Sequence, residues 1–268
     1  MPSGALLGCA LGVLWLSHYE CLRGELVSIY GDDPPSADTG GAPLWRCALA
    51  LPTQLLVLPG LFGFGWASNG WSMGEWRRRW DAAEVDWNAA ESAYFCVFGG
   101  FMLVDFFICS VRPVMALHHV VCLLGHVTGV ILDPLGMPDY FAGVVALEMG
   151  SAACNLYWLY PQSRLASLIY LLGMPLSNLL ALYSATQWAF AVSERRRGGG
   201  EVARGMLSRR VALVLPGGAE VTWRHLVGYA LTGGLSLMRQ KTAIRILSRE
   251  DQGGPLVDQS HSSAVAYT

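Results

Sequence analysis

Apolar residues gather along this chain in runs of membrane-spanning length, separated by short polar connections. The first run, Ala5 to Leu16, falls short of the roughly 20 residues that a helical crossing needs. No basic region precedes it and no small-x-small cleavage site follows, which favours a retained helix or signal anchor over a cleaved leader. Leu44 to Trp66 is the first run of full length, and Pro52, Pro59 and its glycines predict a kinked or broken helix there. Four closely spaced runs follow: Ser92 to Ser110, Val114 to Leu132, Asp139 to Tyr160 and Leu165 to Val192. Connections such as Val111-Arg112-Pro113 and Pro161-Gln162-Ser163-Arg164 are so short that neighbouring helices must be antiparallel and adjacent. Pro175 predicts a kink in the last of the four. Val221 to Met238 reads as a final span. The pattern predicts an all-α, multi-pass transmembrane helical bundle of six spans, or seven if the N-terminal run inserts.

The polar segments divide the chain into three parts. Residues 1–43 hold the short apolar segment and a loop, Tyr30 to Pro43, rich in Gly, Asp and Pro. Residues 44–238 hold the membrane domain, and residues 239–268 form a polar tail expected to be disordered. Within the domain, Trp71 to Ala90 mixes Trp71, Trp76, Trp80 and Trp87 with Arg77-Arg78-Arg79, a composition that suits an interfacial helix among lipid headgroups. Glu194 to Arg210, with Arg195-Arg196-Arg197 before a glycine run, reads as a charged flexible loop that contacts solvent or headgroups. Orientation is not fixed by the positive-inside rule, because Arg77 to Arg79 and the Arg195 to Arg210 cluster oppose Arg239, Lys241, Arg245 and Arg249.

Composition agrees with this pattern. Apolar residues make up 53% of the 268 positions and charged residues 14%, a balance unlike an ordinary soluble domain. A formal net charge of −2 provides no basic field, so nucleic acid is not an expected partner. The seven cysteines are odd in number, and Cys96, Cys109, Cys122 and Cys154 lie inside apolar runs as small hydrophobes. Neither a disulfide framework nor a CxxC metal site is read from them.

Ionisable groups recur at bilayer depth. Leu117-His118-His119-Val120 places two histidines inside an apolar run, and the runs on either side carry Asp105 and Glu148. Asp105 lies about five residues before the end of its span and His118 about four after the start of the next. At about 1.5 Å per residue both sit roughly 6 to 8 Å from one membrane face, close enough to meet. Glu148, Ser151 and Asn155 fall at i, i+3 and i+7, a polar stripe turned from lipid, with Glu148 near mid-membrane. His119 and His126 share a face, while His118 points about 100° away, so only one of the adjacent pair can face a given partner squarely. A histidine beside a carboxylate is a general acid or base at neutral pH, which makes His118, His119, Asp105 and Glu148 the candidate catalytic residues. The plain alternative is a set of polar pairs that only hold helices together.

Other chemistries fit less well. Membrane di-iron enzymes use several histidine-rich boxes, whereas this chain has six histidines with His18, His225 and His261 isolated, so no metal site is expected. Met149-Gly150-Ser151 lacks the GxSxG elbow of a serine hydrolase, and the Tyr-Asp and Gly-x-Gly-Asp pair of intramembrane aspartyl proteases is absent. Ala146-x-x-x-Gly150 is a small-xxx-small pattern that lets a neighbouring helix approach Glu148's helix closely. Asn178, Ser177 and Gln187 either line the same interior or cross-bond helices.

Gly100-Phe101-Met102-Leu103-Val104-Asp105, then His118-His119, then Glu148 with Asn155 and Trp158 following, in that order on successive spans, resembles the TLC domain. This family is shared by translocation-associated membrane proteins, ceramide synthases and ceroid-lipofuscinosis-type proteins. The resemblance is specific from about Tyr94 to Trp158 and agrees in span number from Leu44 to Met238. Ceramide synthases carry a His-Asp-x-x-Asp element where this chain has Ala146-Leu147-Glu148-Met149-Gly150-Ser151, so the aspartates are missing. Glu148, Asn155 and Trp158 look instead like the TLC domain-containing branch linked to membrane lipid composition. The resemblance implies an endoplasmic reticulum or related endomembrane location, although no retention signal stands at Ala266-Tyr267-Thr268.

The leading expectation is a TLC-type protein of lipid homeostasis, with a polar intramembrane cavity around His118, His119, Asp105 and Glu148. Ser151, Asn155 and Trp158 are its candidate lipid-binding residues, and membrane lipids are its partners. No resident cofactor is identified. An acyltransferase similar to ceramide synthase is the alternative, with acyl-CoA as co-substrate and a histidine as base or nucleophile. A transporter or a structural translocation-associated protein is a third class, without the internal repeat that secondary transporters show. Homo-oligomerisation is compatible with all three.

Overall fold

The structure is a computed structural model that describes residues 3–32, 43–80, 87–108, 113–132, 137–197, 211–214 and 220–222, with isolated positions between 230 and 244. It is helical, as the apolar runs predict. Helix α1 spans Ser3–Tyr30, α2 Leu44–Pro52, α3 Leu58–Ala67 and α4 Met73–Trp80. Helix α5 spans Ala89–Ile108, α6 Pro113–Leu132, α7 Met137–Leu159 and α8 Arg164–Arg197. Strands β1 (Val211–Val214) and β2 (Glu220–Thr222) pair antiparallel, Val211 facing Thr222 and Val214 facing Glu220.

Three of these stretches are long and apolar enough to cross a membrane: Leu44–Ala67, Ala89–Phe107 and Arg164–Trp188. Ala116–Val127 is a shorter apolar stretch. That is fewer, among the described residues, than the expected six or seven spans. Two long helices fall short for visible reasons. Helix α1 is longer than its apolar run because helix-forming residues carry it on from Leu16 to Tyr30, but His18, Glu20, Arg23 and Glu25 make that half polar. Helix α7 is diluted by Asp139, Glu148, Ser151 and Asn155. The expected last span corrects at its start, where Val221 and Thr222 belong to β2, and most of Val221 to Met238 lies outside the described residues. Glu194 to Arg197 are the end of α8 rather than loop. The remainder of that loop, most of the loop before α2, and the tail from residue 245 lie outside the described residues.

Proline does not break the second long stretch. Pro52 has no N–H to give the preceding turn, and the chain widens into a π-helical segment, Thr53–Val57, between α2 and α3. This extra residue in the turn sets Thr53 and Gln54 inside, both buried. Helix α8 likewise runs on through Pro175.

Packing follows from side-chain size. Helices α1 and α5 run in the same direction, with Gly8 against Ala89 to Ala93, Gly12 against Cys96, and Tyr19 edge-on to Phe101. A Cβ at Gly8 would stand 2.4 Å from the Ala89 carbonyl oxygen, and one at Gly12 would stand 2.6 Å from Cys96 Cβ, so glycine alone permits this approach. Helix α2 packs on α1 and α7, and α7 lies along α8. Trp45, Trp76, Trp80, Tyr94, Phe101 and Phe141 fill the centre. On α8, Leu165, Leu168, Leu172, Leu176 and Leu179 remain exposed at helical spacing, a stripe matched to hydrocarbon.

The segment read as an interfacial helix is only partly one. Trp71 is exposed, as is Arg78, which pairs with Glu75. Trp76 and Trp80, however, are fully buried and donate indole N–H bonds to Glu91, while Arg77 clasps Asp139 at 2.8 and 2.6 Å. Helix α4 is therefore pinned across the N-terminal ends of α5 and α7.

Candidate functional site

The apolar centre encloses two connected polar groups. In the first, Asp105 near the end of α5 is buried against Arg46 of α2 and His119 of α6. Arg46 Nε lies 3.1 Å from both carboxylate oxygens and Nη2 also donates to Oδ2, a forked contact only a planar guanidinium makes. The same guanidinium sits 5.2 Å over the Phe101 ring. His119 Nε2 stands 3.5 Å from Asp105 Oδ2, in ion-pair range for a protonated imidazole. Its Nδ1 is buried with no hydrogen-bond partner among the described residues.

In the second group, Gln54 of the π segment bridges two residues of α7. Its amide nitrogen donates to Glu148 Oε2 at 2.8 Å, and its carbonyl accepts from Asn155 Nδ2 at 2.9 Å. Beside it, Thr53 Oγ1 meets the Tyr19 hydroxyl at 2.6 Å and accepts from Trp15 Nε1 at 3.1 Å. The Tyr19 hydroxyl lies within electrostatic reach of Arg46, Asp105 and Glu148, and its ring rests edge-on against Phe101. Tyr19 and Phe101 thus join the two groups.

Of the sequence candidates, Asp105 comes together with His119, and Glu148 with Asn155. His118 is half-buried and turned along its own helix to Cys122, 3.7 Å away, with its ring centre 5.5 Å from that of His119. The adjacent pair therefore divides as the 100° offset requires. Ser151 donates to the Leu147 carbonyl of its own helix at 3.2 Å. Trp158 is buried in an apolar cluster with Cys47, Tyr157, Tyr170 and Met174. His126, on the face of His119, acts as a brace: Nε2 donates to the Phe95 carbonyl, so Nδ1 accepts from the Tyr140 hydroxyl, each at 3.0 Å. Sequence reasoning missed Tyr19, Arg46, Thr53 and Gln54. A lone arginine at the start of an apolar run was the available signal for Arg46, since a buried carboxylate at matching depth calls for a cation.

Arg46 stands against Asp105, and Glu148 accepts from the Gln54 amide, so each buried carboxylate has a polar donor on the Leu44–Ala67 stretch. Among the described residues no three His, Cys, Asp or Glu side chains converge to hold a metal ion. Comparison with protein-family models, with curated proteins and with solved structures returns no match in any of the three.

Proposed function

We propose that this chain is a multi-pass membrane protein of TLC type that acts in membrane lipid homeostasis, with six to seven spans and an endoplasmic reticulum or related endomembrane location. It belongs, in this reading, to the branch without ceramide synthase's paired aspartates, and binds a lipid through the polar interior. The observation that carries the reading is the buried Arg46–Asp105–His119 group adjoining Gln54–Glu148–Asn155, with Arg46, Gln54 and Asp105 on stretches long and apolar enough to cross a membrane. A buried polar interior in which His119 Nδ1 has no hydrogen-bond partner among the described residues fits a bound polar headgroup.

The histidines test it. A His118→Ala, His119→Ala double variant that folds normally is expected to lose co-purifying lipid and to shift the cellular lipidome. His119→Ala alone should reproduce most of that change, and His118→Ala little of it. An unchanged lipidome and bound-lipid mass spectrum in the double variant would overturn the proposal.

The orientation of His119 favours a second reading, an acyltransferase using acyl-CoA. Asp105 faces Nε2 and steadies the ring, leaving Nδ1 to take the proton of an amine or hydroxyl acceptor. As the acceptor bonds to the acyl carbon, the carbon–sulfur bond breaks and the proton passes to the coenzyme A thiolate. Purified protein given acyl-CoA with sphingoid bases and lysophospholipids should release CoA at a rate lost in His119→Ala. Absence of release with every acceptor leaves the binding function standing without catalysis.

A further inference from the structure

We propose that Cys9 and Cys96 are a reversible redox pair whose disulfide staples α1 to α5. The two residues are 87 positions apart in sequence, yet their sulfurs lie 3.3 Å apart. The approach is imposed by the backbone. Gly8 and Gly12, on either side of Cys9, are seated directly on α5, and a Cβ at Gly12 would touch the Cβ of Cys96. A disulfide needs the sulfurs at about 2.0 Å, and rotation about the two Cα–Cβ bonds is the motion that draws them together from 3.3 Å. Both thiols are half-buried and both are free.

The oxidant is a low-molecular-weight disulfide. One cysteine sulfur attacks it, expelling a small thiol and forming a mixed disulfide. The second cysteine then attacks the protein sulfur of that mixed disulfide, forming the Cys9–Cys96 bond and expelling the second small thiol. Two electrons pass from the cysteine pair to the reagent, and the two cysteine protons leave on the released thiols. A small dithiol reverses the step. The staple bears on the polar interior because α1 delivers Trp15 and Tyr19 to Thr53. Oxidation adds a covalent tie to that helix, and reduction leaves it held by packing and by these hydrogen bonds.

The test uses the full chain in membranes, treated with dithiodipyridine to completion, followed by alkylation and digestion without reductant. Mass spectrometry should find the Cys9 and Cys96 peptides joined, with two thiopyridones released per joined pair, and dithiothreitol should separate them. In Cys9→Ser the partner Cys96 should instead stay as the thiopyridyl mixed disulfide, and in Cys96→Ser the same should hold for Cys9. The oxidised protein in detergent should unfold roughly 5–10 °C above the reduced one, a shift absent in either serine variant. Mixed disulfides persisting on both cysteines of the native chain, joining of either to another cysteine, or both thiols recovered unreacted would each overturn the proposal.

Discussion

Arg46→Ala is expected to destabilise the folded bundle by about 3–5 kcal/mol, the range for removing one partner of a buried ion pair. The reason is the carboxylate left behind. Asp105 is 1% exposed, its two oxygens both face the guanidinium, and the nearby His119 offers a single, longer contact. Removing both charges differs in kind from removing one. Arg46→Met with Asp105→Leu should recover most of the loss, because apolar replacements leave no unpaired charge. Arg46→Lys should fall between, since an ammonium keeps the charge but cannot fork across both oxygens or lie flat on Phe101. Equilibrium unfolding in mixed micelles, followed by tryptophan fluorescence, measures all three. If the double variant were as unstable as Arg46→Ala, the charge account would fail and the arginine would matter for its packing.

That pair also marks the boundary of what the sequence discloses. Helices α5 to α8 lie within a few residues of the apolar runs that announce them, because a long continuous apolar run, lacking the alternation of a barrel strand, satisfies its own backbone as a helix. Asp105 and Glu148 stand out for the complementary reason, as charges in the wrong solvent. Their partners do not. Arg46 meets a residue 59 positions away and Gln54 one 94 away, and neither distance leaves a mark on local periodicity. Gln54 is further hidden by the π segment, whose added residue alters the face that a 3.6-residue repeat assigns to it. The histidine pair is an intermediate case: geometry on paper excludes both facing Asp105, and only the packed α5–α6 pair selects His119.

The burial of Trp76 and Trp80 corrects a composition-based reading in the same way. Tryptophan beside arginine describes both a helix at the headgroups and a helix bonded to a buried acid. The two differ in a residue 11 to 15 positions downstream, Glu91, which reads from sequence as one more polar residue at a helix start. Asn88 and Glu91 do form such a start: the Asn88 N–H donates to Glu91 Oε2 at 3.1 Å and the Glu91 N–H to Asn88 Oδ1 at 2.9 Å, a reciprocal cap. The acid then does more than cap, because its other oxygen receives α4.

Glu91→Ala is accordingly expected to cost about 3–5 kcal/mol and to detach α4 from α5, leaving it tied to α7 through Arg77 and Asp139. Four donors lose their acceptor at once: the indoles of Trp76 and Trp80 at 2.5 and 3.0 Å, the Arg79 guanidinium, and the backbone N–H of Asn88. The guanidinium is 30% exposed and can recover water, while the two indoles are enclosed and cannot, so their desolvation accounts for much of the loss. Glu91→Gln keeps a carbonyl oxygen for the indoles and gives up the charge and one acceptor, so about half the effect should remain. Glu75→Ala serves as the control on the same helix, since its pair with Arg78 is exposed and its loss should stay within about 0.5 kcal/mol. In Glu91→Ala the tryptophan emission should shift to the red and near-ultraviolet dichroism should fall as Trp76 and Trp80 reach water, whereas Glu75→Ala should leave both spectra unchanged. Equal losses in the two variants would mean that α4 is held by the Arg77–Asp139 pair and by its apolar contacts with Phe62 and Phe141, and that Glu91 is only the cap of α5.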